Sequence, residues 1–160
     1  MKYSRFEDLP VWQAASDLSL RVFALGEKPA LRRHRSLRDQ IERAALSVSN
    51  NFAEGFERGT TPELLAFLYI ARGSTGEVRS MLCVMERMSA FSDLKSEISN
   101  LKSLAEAISR QHRRWAQHLQ DSPIRGQRYL TSKTREADQK RRDREEFLNE
   151  LKAITKKSQP

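Results

Sequence analysis

The sequence predicts an all-α protein: an antiparallel up-down-up-down four-helix bundle over residues 5–120, followed by a basic C-terminal extension, exposed helix or disordered, over 121–160. Three observations carry this. Apolar residues recur at three- and four-residue spacing in four separate stretches, which is the period of a helix with one buried face. Turn-forming residues are scarce, six Gly and five Pro, whereas Leu, Ala, Glu, Lys and Arg are abundant. The links between the stretches are short, which makes sequence neighbours antiparallel.

The first helix starts near Leu9-Pro10, with Asp8 as N-cap and Pro tolerated in the first turn. Its stripe is Val11, Ala15, Leu18, Val22 and Leu25, widened by Trp12 and Phe23, and Gly26 with Pro29 ends it. A link from Glu27 to Ser36 leads to the second helix, on which Leu37, Ile41, Ala45, Val48 and Phe52 share one side. Gly55 and Gly59 then supply positive-φ residues for a turn, and Thr60-Thr61-Pro62-Glu63 has the chemistry of a helix start. The third helix carries Leu64, Leu68, Ala71, Thr75, Val78, Leu82 and Met85. Gly73-Ser74-Thr75-Gly76 lies within its period and reads as a small-residue face for close helix packing rather than a ligand loop. Met81, Met85 and Met88 read as core or interface fillers. The helix should end around Ser89 to Phe91, and Ser92-Asp93 offers the next N-cap. The fourth stripe is the cleanest: Leu94, Ile98, Leu101, Ala105, Ile108, His112, Trp115 and Leu119. Beyond Asp121-Ser122-Pro123 the period is interrupted, and the charged run from Glu136 to Lys157 has only Phe147, Leu148, Leu151 and Ile154 as an apolar stripe.

Charge and composition narrow the function classes. The chain carries 29 basic and 21 acidic residues, a formal charge of +8. Residues 1–120 contribute 18 basic and 14 acidic side chains and residues 121–160 contribute 11 and 7, so the extension is more basic per residue. Such an excess permits attraction to nucleic acid or another polyanion. The single Cys83 cannot form an intrachain disulfide, and the first residues lack the apolar core of a signal peptide, so the expected compartment is the cytoplasm. No apolar run is long enough to span a bilayer.

A search for reactive constellations returns little. A di-iron bundle needs Glu three residues before His on two helices, and none of His34, His112 or His118 has it. No metal site and no cofactor are expected. There is no Gly-x-Ser-x-Gly elbow, and Cys83 lies among Leu82, Val84 and Met85, where a thiol is usually inert core. Glu54, one turn from Asn50 and from Arg58, is the most interesting carboxylate, but it has no second carboxylate or His at helical spacing, so no catalytic residue is expected. The structural reading has Asn51, Glu54 and Arg58 bonding across the helical hairpin or between subunits. For binding, the candidates are Arg32, Arg33, Arg35 and Arg38 in and after the first link, continued by Arg43.

Asn51-Phe52-Ala53-Glu54-Gly55-Phe56-Glu57-Arg58, the run Phe67-Leu68-Tyr69-Ile70-Ala71-Arg72-Gly73-Ser74 and Glu77 closely resemble the signature of the 23S ribosomal RNA intervening-sequence proteins, a four-helix-bundle family. Phe6-Glu7-Asp8-Leu9-Pro10-Val11-Trp12 and Gln40-Ile41-Glu42-Arg43-Ala44-Ala45 match the family's other hallmarks, so the resemblance covers about residues 5–119. It implies a small intracellular bacterial protein that assembles into a ring of five bundles and associates with RNA or a ribonucleoprotein. It also makes Asn51, Glu54, Gly55, Arg58, Gly73, Ser74 and Glu77 the signature residues, structural or at an interface. Two other readings stay open. The chain is also similar to the accessory variability determinant proteins of diversity-generating retroelements, which implies a DNA- or reverse-transcription-associated role; and it could serve purely as an assembly module.

Overall fold

Pro10, with its fixed φ and no N–H to satisfy, opens the first long helix, α1 (Pro10–Gly26). The residue before it, Leu9, is the N-cap and is fully buried, so the cap is held by packing; Asp8 instead ends a 3-10 turn, Phe6–Asp8, that precedes the helix. The expected Asp8 cap is therefore displaced by this turn, whose carbonyl at Glu7 accepts a hydrogen bond from the Gln13 side chain at 2.9 Å. The link that follows is more ordered than a solvated loop. Pro29 starts a one-turn helix, α2 (Pro29–Arg32), and α3 (Arg35–Glu57) begins almost at once. The remaining helices are α4 (Thr61–Arg87) and α5 (Lys95–Asp121). The computed structural model describes residues 5–121, 136, 139–141 and 143–149, and among these every regular element is helical.

Gly55 does not form the turn after α3. It lies inside the helix, buried, and only Gly59 takes a positive φ, 81°. A Cβ on Gly55 would stand 2.6 Å from the Phe67 Cβ and 3.3 Å from the Leu64 Cα, so Gly is required by the approach of α4. Thr60 caps α4: its hydroxyl accepts from the Glu63 N–H at 3.4 Å and donates to the Glu63 carboxylate at 2.6 Å. At the far end α4 stops at Arg87, and a 3-10 segment, Ser89–Leu94, contains the non-helical Phe91 (φ −115°, ψ 19°). Ser92 and Asp93 lie within that segment, not at the start of α5 as expected, because the buried Phe91 ring forces the tighter turn to extend to Leu94.

The four long helices close on one another: α1 packs on α3 and α5, and α4 packs on α3 and α5. Every position of the α4 stripe is buried, and so are Ile98, Leu101, Ala105, Ile108, His112 and Leu119 of α5. Two apolar clusters result. The larger runs from Ala15, Leu18 and Val22 through Val48, Leu82 and Phe91. The smaller gathers Leu9, Phe52, Phe56, Leu64, Leu68 and Leu119. Each fully buried Leu or Phe contributes about 1.5–3 kcal/mol relative to exposure, so these stripes, not helix propensity, hold the fold. Ser19 is buried without penalty because its hydroxyl donates to the carbonyls of Ala15 and Ala45 at 3.1 and 3.0 Å.

The chain divides into two compact units, Met1–Gly126 and Gln127–Pro160. In the second, the described residues are helical and exposed, with Gln139 donating to Asp143 at 2.8 Å and Arg141 3.7 Å from Glu145. Phe147 and Leu148 are exposed, so these two make no buried stripe; Leu151 and Ile154 lie outside the described residues.

Candidate nucleic-acid interface

The candidate arginines sit where α2 gives way to α3. Proline at the start of α2 and the immediate restart at Arg35 compress the link, which brings Arg32, Arg33, Arg35 and Arg38 within two short turns of helix. The segment is pinned to the end of the molecule: α2 packs on the Ser89–Leu94 turn, the His34 ring lies 5.3 Å from the Phe91 ring, and Lys28 is 3.5 Å from Glu97.

The five arginines are not equivalent. Arg32 pairs with Glu27, and this guanidinium holds the Glu27 carboxyl below its usual range. Arg38 donates to Asp39 at 3.0 Å and lies 3.9 Å from Glu42. Arg43 donates to the Gln40 side chain at 2.7 Å and borders an open groove with Leu46, Ser47, Asn50, Asn51 and Glu54. Arg33 and Arg35 are exposed and form no ion pair among the described residues. Two further cations were not legible as part of this cluster. Arg87 ends α4 and Lys95 starts α5, and the turn between them packs against α2, so both are exposed at the same end of the molecule. Their separation from Arg33 in sequence hid this; the signal was Phe91, a large apolar residue in a short link that has to be buried against something.

The signature residues have separate duties. Ser74 and Ser47 share a hydrogen bond of 3.0 Å between α4 and α3, and Asn51 donates to the carbonyl and hydroxyl of Ser47, both at 2.8 Å. Glu54 accepts from Arg58 one turn on at 2.7 Å; Arg58 also lies 3.9 Å from Glu63 and stacks 5.0 Å above the Phe67 ring. Of the three residues expected to bond across the hairpin, only Arg58 reaches α4; Asn51 and Glu54 bond within α3 or to Arg58, and the Ser47–Ser74 bond makes the cross-helix polar contact. Gly73, Gly76 and Glu77 face outward, and a Cβ on either glycine would meet nothing within 4 Å. The close-packing reading of Gly73 and Gly76 does not hold within the chain, since both are on the side of α4 away from its core stripe.

One buried polar group stands apart. His112 is fully buried on α5, its ring stacked 6.3 Å from Phe52, and neither nitrogen has a hydrogen-bond partner among the described residues. Burial, aided by the charge of Arg72, pushes its imidazole down to about 4. Among the described residues no three His, Cys, Asp or Glu side chains come together to hold a metal ion, and no helix is long and apolar enough to cross a membrane.

Packed helices with a polar hairpin brace and cations gathered at one end define a helical protein whose distinctive residues serve packing and surface charge. The chain belongs to the 23S rRNA-intervening sequence protein family, whose model matches residues 7–114. No curated protein matches it.

Proposed function

We infer that the protein is a non-enzymatic homo-oligomer, an antiparallel up-down-up-down four-helix bundle, that engages RNA in the cytoplasm through its basic surface and needs no cofactor. The observation that carries this reading is the pair Arg33 and Arg35, exposed and without an ion pair among the described residues, at an end of the molecule that also presents Arg87 and Lys95. A guanidinium without a carboxylate partner is available to a phosphate, which it can grip through two parallel N–H bonds. The family's description points to RNA as the polyanion. The up-down arrangement is supported by the short connections at 58–60 and 88–94 and by the cyclic packing of the four long helices. Self-association is supported by exposed Leu20, Leu46, Ile70 and Val84, apolar area that a second copy can cover. Five copies, the number the family resemblance implies, would multiply weak single-site attraction through effective concentration.

The test is binding to RNA, duplex DNA and polyglutamate over a salt series. Replacing Arg32, Arg33, Arg35 and Arg38 by Gln is expected to lower RNA affinity and flatten its salt dependence more than the same change at Lys140, Arg141, Arg142 and Arg144. Each lost phosphate contact should remove about 0.7–0.9 from the slope of log affinity against log salt. An equal or reversed effect, with both variants still assembled, assigns binding to the extension. Preference for duplex DNA would favour the retroelement-type role.

A further inference from the structure

The groove between α4 and α5 carries a second set of arginines. Two cross-helix bonds fix its register: Gln120 donates to the Tyr69 hydroxyl at 3.0 Å, and Lys102 donates to Glu86 at 2.5 Å. Numbers rise along α4 as they fall along α5, so the two helices run in opposite directions there. Seven residues on from Tyr69 is Gly76, and seven back from Gln120 is Arg113, which places Arg113 beside Gly76. On α4 itself, Arg72 and Arg79 stand four before and three after Gly76, on the same side of the helix.

Two acids beside this groove are engaged, while Glu77, next to Gly76, is exposed and forms no ion pair among the described residues. Glu86 is held by Lys102, and Glu106 is 3.0 Å from Arg110. Arg72, Arg79 and Arg113 are exposed and form no ion pair among the described residues. At the centre of the three, Gly76 leaves bare helix, with nothing within 4 Å of where a Cβ would stand. Open helix surface at Gly76, flanked by three exposed guanidinium groups that form no ion pair among the described residues, is accessible to an approaching chain of anions.

We propose that an RNA strand lies along this groove, its phosphates held by Arg72, Arg79 and Arg113 over the open surface at Gly76. The proposal rests on the RNA reading above and places the contact on a different face from the link cluster. From Arg72 to Arg87 the helix rises about 22 Å, so a strand of several nucleotides reaches the basic end formed by Arg87 and Lys95. A polymer with regularly spaced charges suits such a track; a single small anion would use only part of it.

The test is Gly76→Glu in the full-length chain. The space at Gly76 accepts the side chain, and Arg72 and Arg79 one turn away stabilise the new carboxylate, so circular dichroism and melting should be retained. RNA affinity is expected to fall about tenfold or more at physiological salt, with a slope flatter by about two. Gly76→Ala should bind as the parent chain does, and the triple change Arg72→Gln, Arg79→Gln, Arg113→Gln should reproduce the loss. Undiminished RNA binding by a folded Gly76→Glu chain overturns the groove and leaves the RNA reading standing. Failure of the parent chain to bind RNA overturns both, and equally tight binding of polyglutamate by the parent overturns the assignment to RNA.

Discussion

His112 places an ionisable ring where none of the described residues accepts a hydrogen bond from it. The groups that face it are apolar or cationic: Phe52 stacks on it from α3, and Arg72 of α4 adds a repulsive positive charge. Its folded value of about 4 lies below the ordinary 6.5, so between these two values the unfolded chain binds more protons than the folded one. The stabilising preference for neutral His112 is therefore complete above about pH 6.5 and is lost as pH falls toward 4. At about 1.4 kcal/mol per unit, the difference is on the order of 3 kcal/mol. Urea denaturation at closely spaced pH values should show stability declining through this window, and the decline should be much shallower in His112→Leu, which also removes two unpaired buried nitrogens. Parallel curves for the two chains would mean that the carboxylates alone carry the acid sensitivity.

At the scale of elements, the α3–α4 hairpin turns on glycines with opposite duties. Gly55 meets Phe67 and Leu64 so closely that Gly55→Ala must push the helices apart, an overpacking cost of about 1–3 kcal/mol. Gly73 has open space around it, so Gly73→Ala should gain up to about 1 kcal/mol of helix propensity. Thermal melts of the two variants should move in opposite directions; a stabilised Gly55→Ala would contradict the close approach. These are the positions that sequence reasoning exchanged, reading Gly55 as turn and Gly73 with Gly76 as packing. The apolar stripes of all four long helices were legible because helical period is a local property that spacing alone reveals. What a glycine is for depends on whether another helix passes over it, and that is decided by residues far away in the chain. The same limit applied to charge. The partners of Arg32 and Arg38 are nearby in sequence and could be anticipated, but the gathering of Arg87 and Lys95 beside Arg33 depends on how the Ser89–Leu94 turn folds onto α2.

For the whole molecule, the division of labour between the two units can be separated by truncation. The family match ends at residue 114, inside the unit Met1–Gly126, and the two apolar clusters draw all their members from Phe6 to Leu119. The exposed Leu20, Leu46, Ile70 and Val84 lie in that unit too, while the described residues of the second unit are charged or exposed. Burial of apolar area at about 25 cal/mol per Å² is a strong drive for copies to associate, and among the described residues the first unit offers that area beside a packed core. A chain ending at Asp121 should therefore fold and keep the oligomeric state of the full protein, as read by multi-angle light scattering at matched concentrations. Its RNA binding should keep most of the salt dependence, because Arg33, Arg35, Arg72, Arg79 and Arg113 all remain. A monomeric truncated chain that still melts cooperatively would move the assembly contact into residues 122–160 and make the first unit a folded module that the extension joins together.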